Sequence, residues 1–124
     1  MNLGMKILVV DDSSLMRGFA KGSLKNLKLN NVTEAENGVE ALAELKKEKY
    51  DLILSDLHMP NMDGLELLKA VRSDRNLKNI PFIIMTLDGK KGALIEAVKA
   101  GLNDYLIKPV TANALSKKLN NVFS

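Results

Sequence analysis

Apolar residues alternate along the chain between two kinds of segment. Lys6-Ile7-Leu8-Val9-Val10, Leu52-Ile53-Leu54 and Phe82-Ile83-Ile84-Met85 carry short unbroken apolar runs, and Tyr105-Leu106-Ile107 is a shorter run of the same kind. Runs without polar alternation predict strands covered on both faces, as in a parallel sheet. Val32-Thr33-Glu34-Ala35 is more polar, as an edge strand is. The segments between have helical period. Met16, Ala20, Leu24 and Leu27 share one face behind Ser13 or Ser14, either of which can cap the helix. Val39, Leu42, Ala43 and Leu45 follow Asn37-Gly38, while Leu67, Leu68 and Val71 follow Asp63-Gly64. Leu94, Ala97 and Val98 run into Ala100-Gly101, a glycine C-cap, and Leu115, Leu119 and Val122 follow Thr111, an N-cap after Pro109. Lys25, Lys28, Glu40, Glu44, Lys47 and Lys117 take the opposite faces, as on amphipathic surface helices. Strand then helix, five times over, predicts an α/β fold with right-handed crossovers and helices on both faces of a parallel sheet.

At 124 residues the chain is the size of one domain, and no linker or low-complexity stretch divides it. We expect a single domain over residues 1–124, with no output module attached. The absence of cysteine excludes disulfide scaffolds, zinc ribbons and thiol catalysis. One histidine, His58, argues against a histidine-built metal site or a Ser-His triad, although it could still serve alone. A net charge of +3, with the basic residues scattered, is a set of solvated helix faces and not a nucleic-acid footprint. No stretch approaches the ~20 apolar residues of a membrane span, and the start lacks a targeting pattern, so the expected location is cytoplasmic, away from membranes.

The polar residues are informative through their position. Asp11-Asp12 follows the first apolar run, Asp56 the third, Thr86 the fourth and Lys108 the fifth. In a parallel sheet these are all carboxyl ends, which border the crevice where open sheets bind ligands. Two carboxylates about 4 Å apart repel by roughly 4 kcal/mol at an effective dielectric of 20, and one lysine cannot neutralise three acids. A divalent cation can, and carboxylate oxygens suit Mg²⁺. No calcium-binding loop is present. A carboxylate, Mg²⁺, a hydroxyl and an ammonium together serve phosphoryl transfer, with a carboxylate as nucleophile. Asp56, on a central run beside the acid pair, is the candidate.

At these residues the chain resembles the receiver domain of two-component response regulators, most closely the single-domain CheY-like chemotaxis regulators. The likeness runs through Val9-Val10-Asp11-Asp12-Ser13-Ser14, Met16-Arg17, Ala35-Glu36-Asn37-Gly38, Asp56-Leu57-His58-Met59-Pro60, Met62-Asp63-Gly64, Ile84-Met85-Thr86, Ala100-Gly101 and Tyr105-Leu106-Ile107-Lys108-Pro109. The resemblance implies a doubly wound sheet of order 2-1-3-4-5, for which CheY is a standard example. It implies phosphorylation of Asp56 by a histidine kinase. It also implies Mg²⁺, or Mn²⁺ in its place, held directly by Asp12 and Asp56, largely through water by Asp11, and by the backbone carbonyl of His58. By the same resemblance Thr86 and Lys108 hold the phosphoryl group, Tyr105 is the switch aromatic that turns inward with Thr86, and Lys108-Pro109 is a cis bond. The chain would not be a free-standing enzyme, yet would catalyse its own phosphoryl transfer and autodephosphorylation. It would act as a monomer on the flagellar motor switch through the face of helix 4, strand 5 and helix 5, with a phosphatase as a further partner.

Departures from the family pattern bear on kinetics. Leu87 stands where a small residue is usual, so it is expected to narrow access to Asp56 or hinder Tyr105 from turning inward. His58 and Asp88 occupy positions that tune dephosphorylation. The nearest alternative is a phosphorelay shuttle or another stand-alone receiver unconnected with motility. An aspartyl-phosphate hydrolase would need Asp-x-Asp where this chain has adjacent Asp11-Asp12. A flavin carrier would need a Ser/Thr/Gly-rich loop after strand 1, which is missing, and only Leu87 speaks for a receiver that binds partners without phosphorylation.

Overall fold

A computed structural model describes residues 2–87 and 91–124, together with the backbone but not the side chain of Lys91. Its elements run β1 (Ile7–Val10), α1 (Ser14–Asn26), β2 (Val32–Ala35), α2 (Gly38–Lys47), β3 (Leu52–Asp56), α3 (Gly64–Ser73), β4 (Phe82–Thr86), α4 (Lys91–Lys99), β5 (Asp104–Ile107) and α5 (Ala112–Phe123). The five strands pair in parallel in the order β2-β1-β3-β4-β5, as expected, with β3 at the centre.

The pleat divides the core. Leu8, Val10, Ile53 and Ile84 face Ala41 and Leu45 of α2, Leu67, Leu68 and Val71 of α3, and Leu94 and Ala97 of α4. Ile7, Val9, Leu52, Leu54, Ile83 and Met85 face Ala20 and Leu24 of α1 and Leu115 and Leu119 of α5. Both faces of β1, β3 and β4 are therefore covered, which is why those runs lack polar alternation. Each fully buried aliphatic side chain contributes about 1.5–3 kcal/mol.

Three expectations need correction. β5 is an edge strand in which only Leu106 is buried; Tyr105 and Ile107 are exposed, so it is not a doubly covered run. In α2 the buried face is Gly38, Ala41 and Leu45, and Val39 points to solvent. In α4, Leu94 and Ala97 are buried but Val98 is exposed. In each case, apolar residues outnumber the positions that the helix or edge can bury.

Side-chain caps start four of the helices. Ser13, Asn37, Asp63 and Thr111 accept hydrogen bonds from Met16, Glu40, Glu66 and Ala114 backbone N–H groups, and Glu66 completes a capping box. Because each helix follows a strand's carboxyl end, these capped N-termini gather at one rim of the sheet. At the other rim, Gly101 has φ +102° and ends α4, with Leu102 N–H donating to Ala97 and Gly101 N–H to Val98.

Arg72, in the last turn of α3, ties that other rim together. Its guanidinium donates to the carbonyls of Lys78 (3.0 Å), Ile80 (2.8 Å) and Gly101 (3.0 Å) and to Asn103 Oδ1 (2.9 Å). Asn103 Oδ1 in turn accepts from Phe82 N–H, at the start of β4. Arg72→Ala removes four charge-assisted bonds and is expected to cost about 3 kcal/mol, read as a lower urea midpoint. An unchanged midpoint would show that water replaces the guanidinium without loss.

Candidate active site

β1 delivers Asp11 and Asp12 to the capped rim. Asp11 is fully buried and Asp12 exposed. β3 ends in Asp56, 7% exposed, and β4 in Thr86, 4% exposed. Lys108, 9% exposed, follows β5, placed by its N–H donating to the Thr86 carbonyl at 2.7 Å and followed by a cis bond to Pro109, as expected. All five residues line one cleft of about 490 Å³, along with His58 and, on its apolar wall, Met16, Leu57 and Ala93.

The Lys108 ammonium lies 2.7 Å from Asp11 Oδ2 and 3.1 Å from Asp56 Oδ1. Asp11 Oδ2 is buried and accepts no directed hydrogen bond; among the described residues, its partner is that ammonium. Asp11, Asp12 and Asp56 each offer a carboxylate oxygen, with these oxygens within 4.8 Å of one another. Burial pushes the Asp56 carboxyl above its ordinary pKa and the Asp11 charge adds to the push; Lys108 and the His58 backbone N–H oppose it without cancelling it. Three acids gathered around one shared ammonium give the cluster an excess of acidic groups over its cation. Hard oxygen donors in that excess fit a divalent cation.

His58 is exposed in the loop after β3. Leu87 lines the cleft but is 69% exposed, so it stands at the rim. Tyr105 is not among the cleft-lining residues; it is 39% exposed, with Lys118 Nζ 5.0 Å from its ring centroid and Lys118 paired to Asp104 at 3.0 Å. Asp88 lies outside the described residues.

Two contributors were not legible as such in the sequence. Asp63-Gly64 reads there as a local helix start, yet Gly64 N–H donates to the Leu57 carbonyl at 2.9 Å, and a Cβ on Gly64 would stand 2.2 Å from the Asp56 carbonyl oxygen. Gly64 therefore lets α3 approach the backbone of the central acid. The second is Arg17, whose Nη1 donates to the Asp11 carbonyl at 2.6 Å. In the sequence it is one more charged residue on an amphipathic helix; only the Met16-Arg17 pair within the resemblance hinted at it.

Comparison with known proteins puts this cleft in context. Residues 7–120 match the family model described as response regulator receiver domain. Chemotaxis protein CheY-3 of Vibrio cholerae is 45% identical over 123 residues, covering 99% of this chain and 95% of that protein. The solved structure of Vibrio cholerae CheY4 superposes with a TM-score of 0.87 at 34% identity, covering 96% of this chain and 98% of that one. The receiver domain of a sensor histidine kinase from Pseudomonas aeruginosa, with a magnesium ion coordinated in its active site cleft, superposes with a TM-score of 0.86 at 29% identity, covering 98% and 99% of the two chains.

Proposed function

The chain belongs to the response regulator receiver domain family, and from that premise we propose that it is a phosphorylation-controlled switch with Asp56 as the phosphoacceptor. The observation that carries this reading is the buried Lys108 ammonium shared between Asp11 and Asp56 in one cleft. A histidine kinase presents a phosphohistidine to that cleft. An Asp56 carboxylate oxygen attacks phosphorus, the O–P bond forms as the N–P bond breaks, and the electron pair returns to the imidazole. Lys108, already within reach of Asp56, pairs with a phosphoryl oxygen, and the Thr86 hydroxyl donates to another. Asp11, Asp12, Asp56 and the His58 backbone carbonyl would hold Mg²⁺, or Mn²⁺ in its place, and the ion would neutralise the charge of the acids and the phosphoryl group. Water later hydrolyses the acyl phosphate, so the chain resets itself without being a free-standing enzyme.

The phosphoryl group adds about two negative charges. Thr86 moves toward them and Tyr105 turns inward from its exposed position, which changes the face formed by α4, β5 and α5. The chemotaxis names of the relatives favour the flagellar motor switch as the cytoplasmic target. A purified flagellar switch component should bind the immobilised chain only when Mg²⁺ and beryllofluoride, a phosphoryl mimic, are both present. Selective binding of a histidine phosphotransfer protein instead would replace motility with a phosphorelay. Binding that is indifferent to beryllofluoride would overturn the switch itself.

A further inference from the structure

We infer that Arg17, oriented by Glu34, is a positioning residue that holds the Asp11-Asp12 turn and so sets the affinity of the acid cluster for a divalent cation. The inference rests on the cation-dependent reading of the cleft proposed above.

Every polar atom of Asp11 is fixed. Its N–H donates to the Ala35 carbonyl (3.1 Å), its Oδ1 accepts from Ser13 N–H (2.9 Å), its Oδ2 pairs with Lys108 (2.7 Å), and its carbonyl accepts from Arg17 Nη1 (2.6 Å). The first three hold Asp11 itself. The fourth acts on its neighbour, because the Asp11 carbonyl lies in the planar peptide that leads to the Asp12 Cα. Asp12 is exposed, in contrast to fully buried Asp11, so packing constrains its carboxylate least of the three.

Arg17 is itself held in plane. Its Nε donates to Glu34 Oε1 at 2.9 Å, and Glu34 Oε2 pairs with Lys21 at 3.0 Å. The Arg17 side chain is only 12% exposed. Glu34 sits on β2, opposite Val9 of β1, so the edge strand steadies a side chain of α1 that in turn grips the end of β1. α1 needs none of this for attachment. Ala20 and Leu24 are buried against the sheet, and Ser23 donates to the Val110 carbonyl at 2.6 Å.

Charge and position predict opposite signs, which makes the inference testable. A guanidinium beside a cation site repels the cation, so deleting its charge alone would tighten binding. Losing its grip on the turn would loosen binding, and groups that hold metal ligands in place are typically worth ~10–100-fold in affinity. Mg²⁺ titration by calorimetry should show Arg17→Gln, and the charge-retaining Arg17→Lys, binding about tenfold more weakly than wild type. Glu34→Ala, on a partly exposed edge, tests the same hold from the other side should either arginine variant fold poorly, and it should weaken binding in the same direction. Tighter or equal binding by Arg17→Gln, with Arg17→Lys and Glu34→Ala matching wild type, overturns the inference and leaves the proposed function standing. Failure of wild type to bind Mg²⁺ overturns both.

Discussion

Asp56→Asn is expected to abolish labelling by acetyl phosphate in Mg²⁺, read as loss of the phosphate-retarded band on a phosphate-affinity gel. The nucleophile here is a carboxylate oxygen, and the amide of Asn offers no comparable anionic oxygen. The same substitution should raise stability. In the folded chain, burial and the neighbouring Asp11 hold the Asp56 carboxyl above its ordinary pKa. The folded state therefore binds that proton more tightly than the unfolded state, and the carboxyl destabilises the fold increasingly as pH rises from the ordinary carboxylate range through the raised value. The neutral amide removes that cost. At pH 7 without divalent cation, Asp56→Asn should gain on the order of 1 kcal/mol, about 4 °C in melting midpoint, and the gain should vanish at a pH where Asp56 is protonated in both states. Adding Mg²⁺ should stabilise wild type more than the variant. Full labelling of Asp56→Asn would move the acceptor elsewhere, and a lower midpoint at neutral pH would show that the Lys108 pair outweighs the repulsion.

Among the described glycines, Gly64→Ala should be the most damaging alanine substitution. Its Cβ would stand 2.2 Å from the Asp56 carbonyl oxygen and 3.0 Å from the Leu57 Cα, and both are backbone atoms that no rotamer change can clear. Either α3 backs away or the end of β3 shifts. The expected cost is about 3 kcal/mol, at the upper end for overpacking. Because the displaced peptide carries the acceptor, the labelling rate should fall about 100-fold, as a misplacement of about 1 Å does. Gly18→Ala provides the control, since its added Cβ meets nothing within 4 Å and α1 should gain about 1 kcal/mol. A Gly64→Ala protein with wild-type midpoint and labelling would show that the rim is softer than its geometry implies.

The elements were legible because their signals are local. An unbroken run such as Ile83-Ile84-Met85 reports burial on both faces, and Ser13, Asn37, Asp63 and Thr111 report helix starts through bonds that span only three residues. The acids, Thr86 and Lys108 were legible for a related reason: in a parallel sheet, a residue at a strand's carboxyl end belongs to the common rim whatever its neighbours are. Where reading by pattern failed, the missing information was long-range. Tyr105 and Ile107 continue an apolar run like those of the core strands, but among the described residues β5 pairs only with β4, and α5 buries Leu106 while Tyr105 and Ile107 stay exposed.

By itself, then, the sequence determined the α/β order, the helix caps and which side chains would meet at the rim, because periodicity, capping and strand-end position are properties of short segments. Tertiary structure alone decided that one ammonium would serve both Asp11 and Asp56, that Gly64 would lie against the Asp56 backbone and that Arg17 would reach the Asp11 carbonyl. Those contacts depend on how α1, α3 and β5 are set against the central strands. Hydrogen bonds, ion pairs and steric exclusion change steeply over less than an ångström, a precision that packing in three dimensions supplies and spacing along a chain does not.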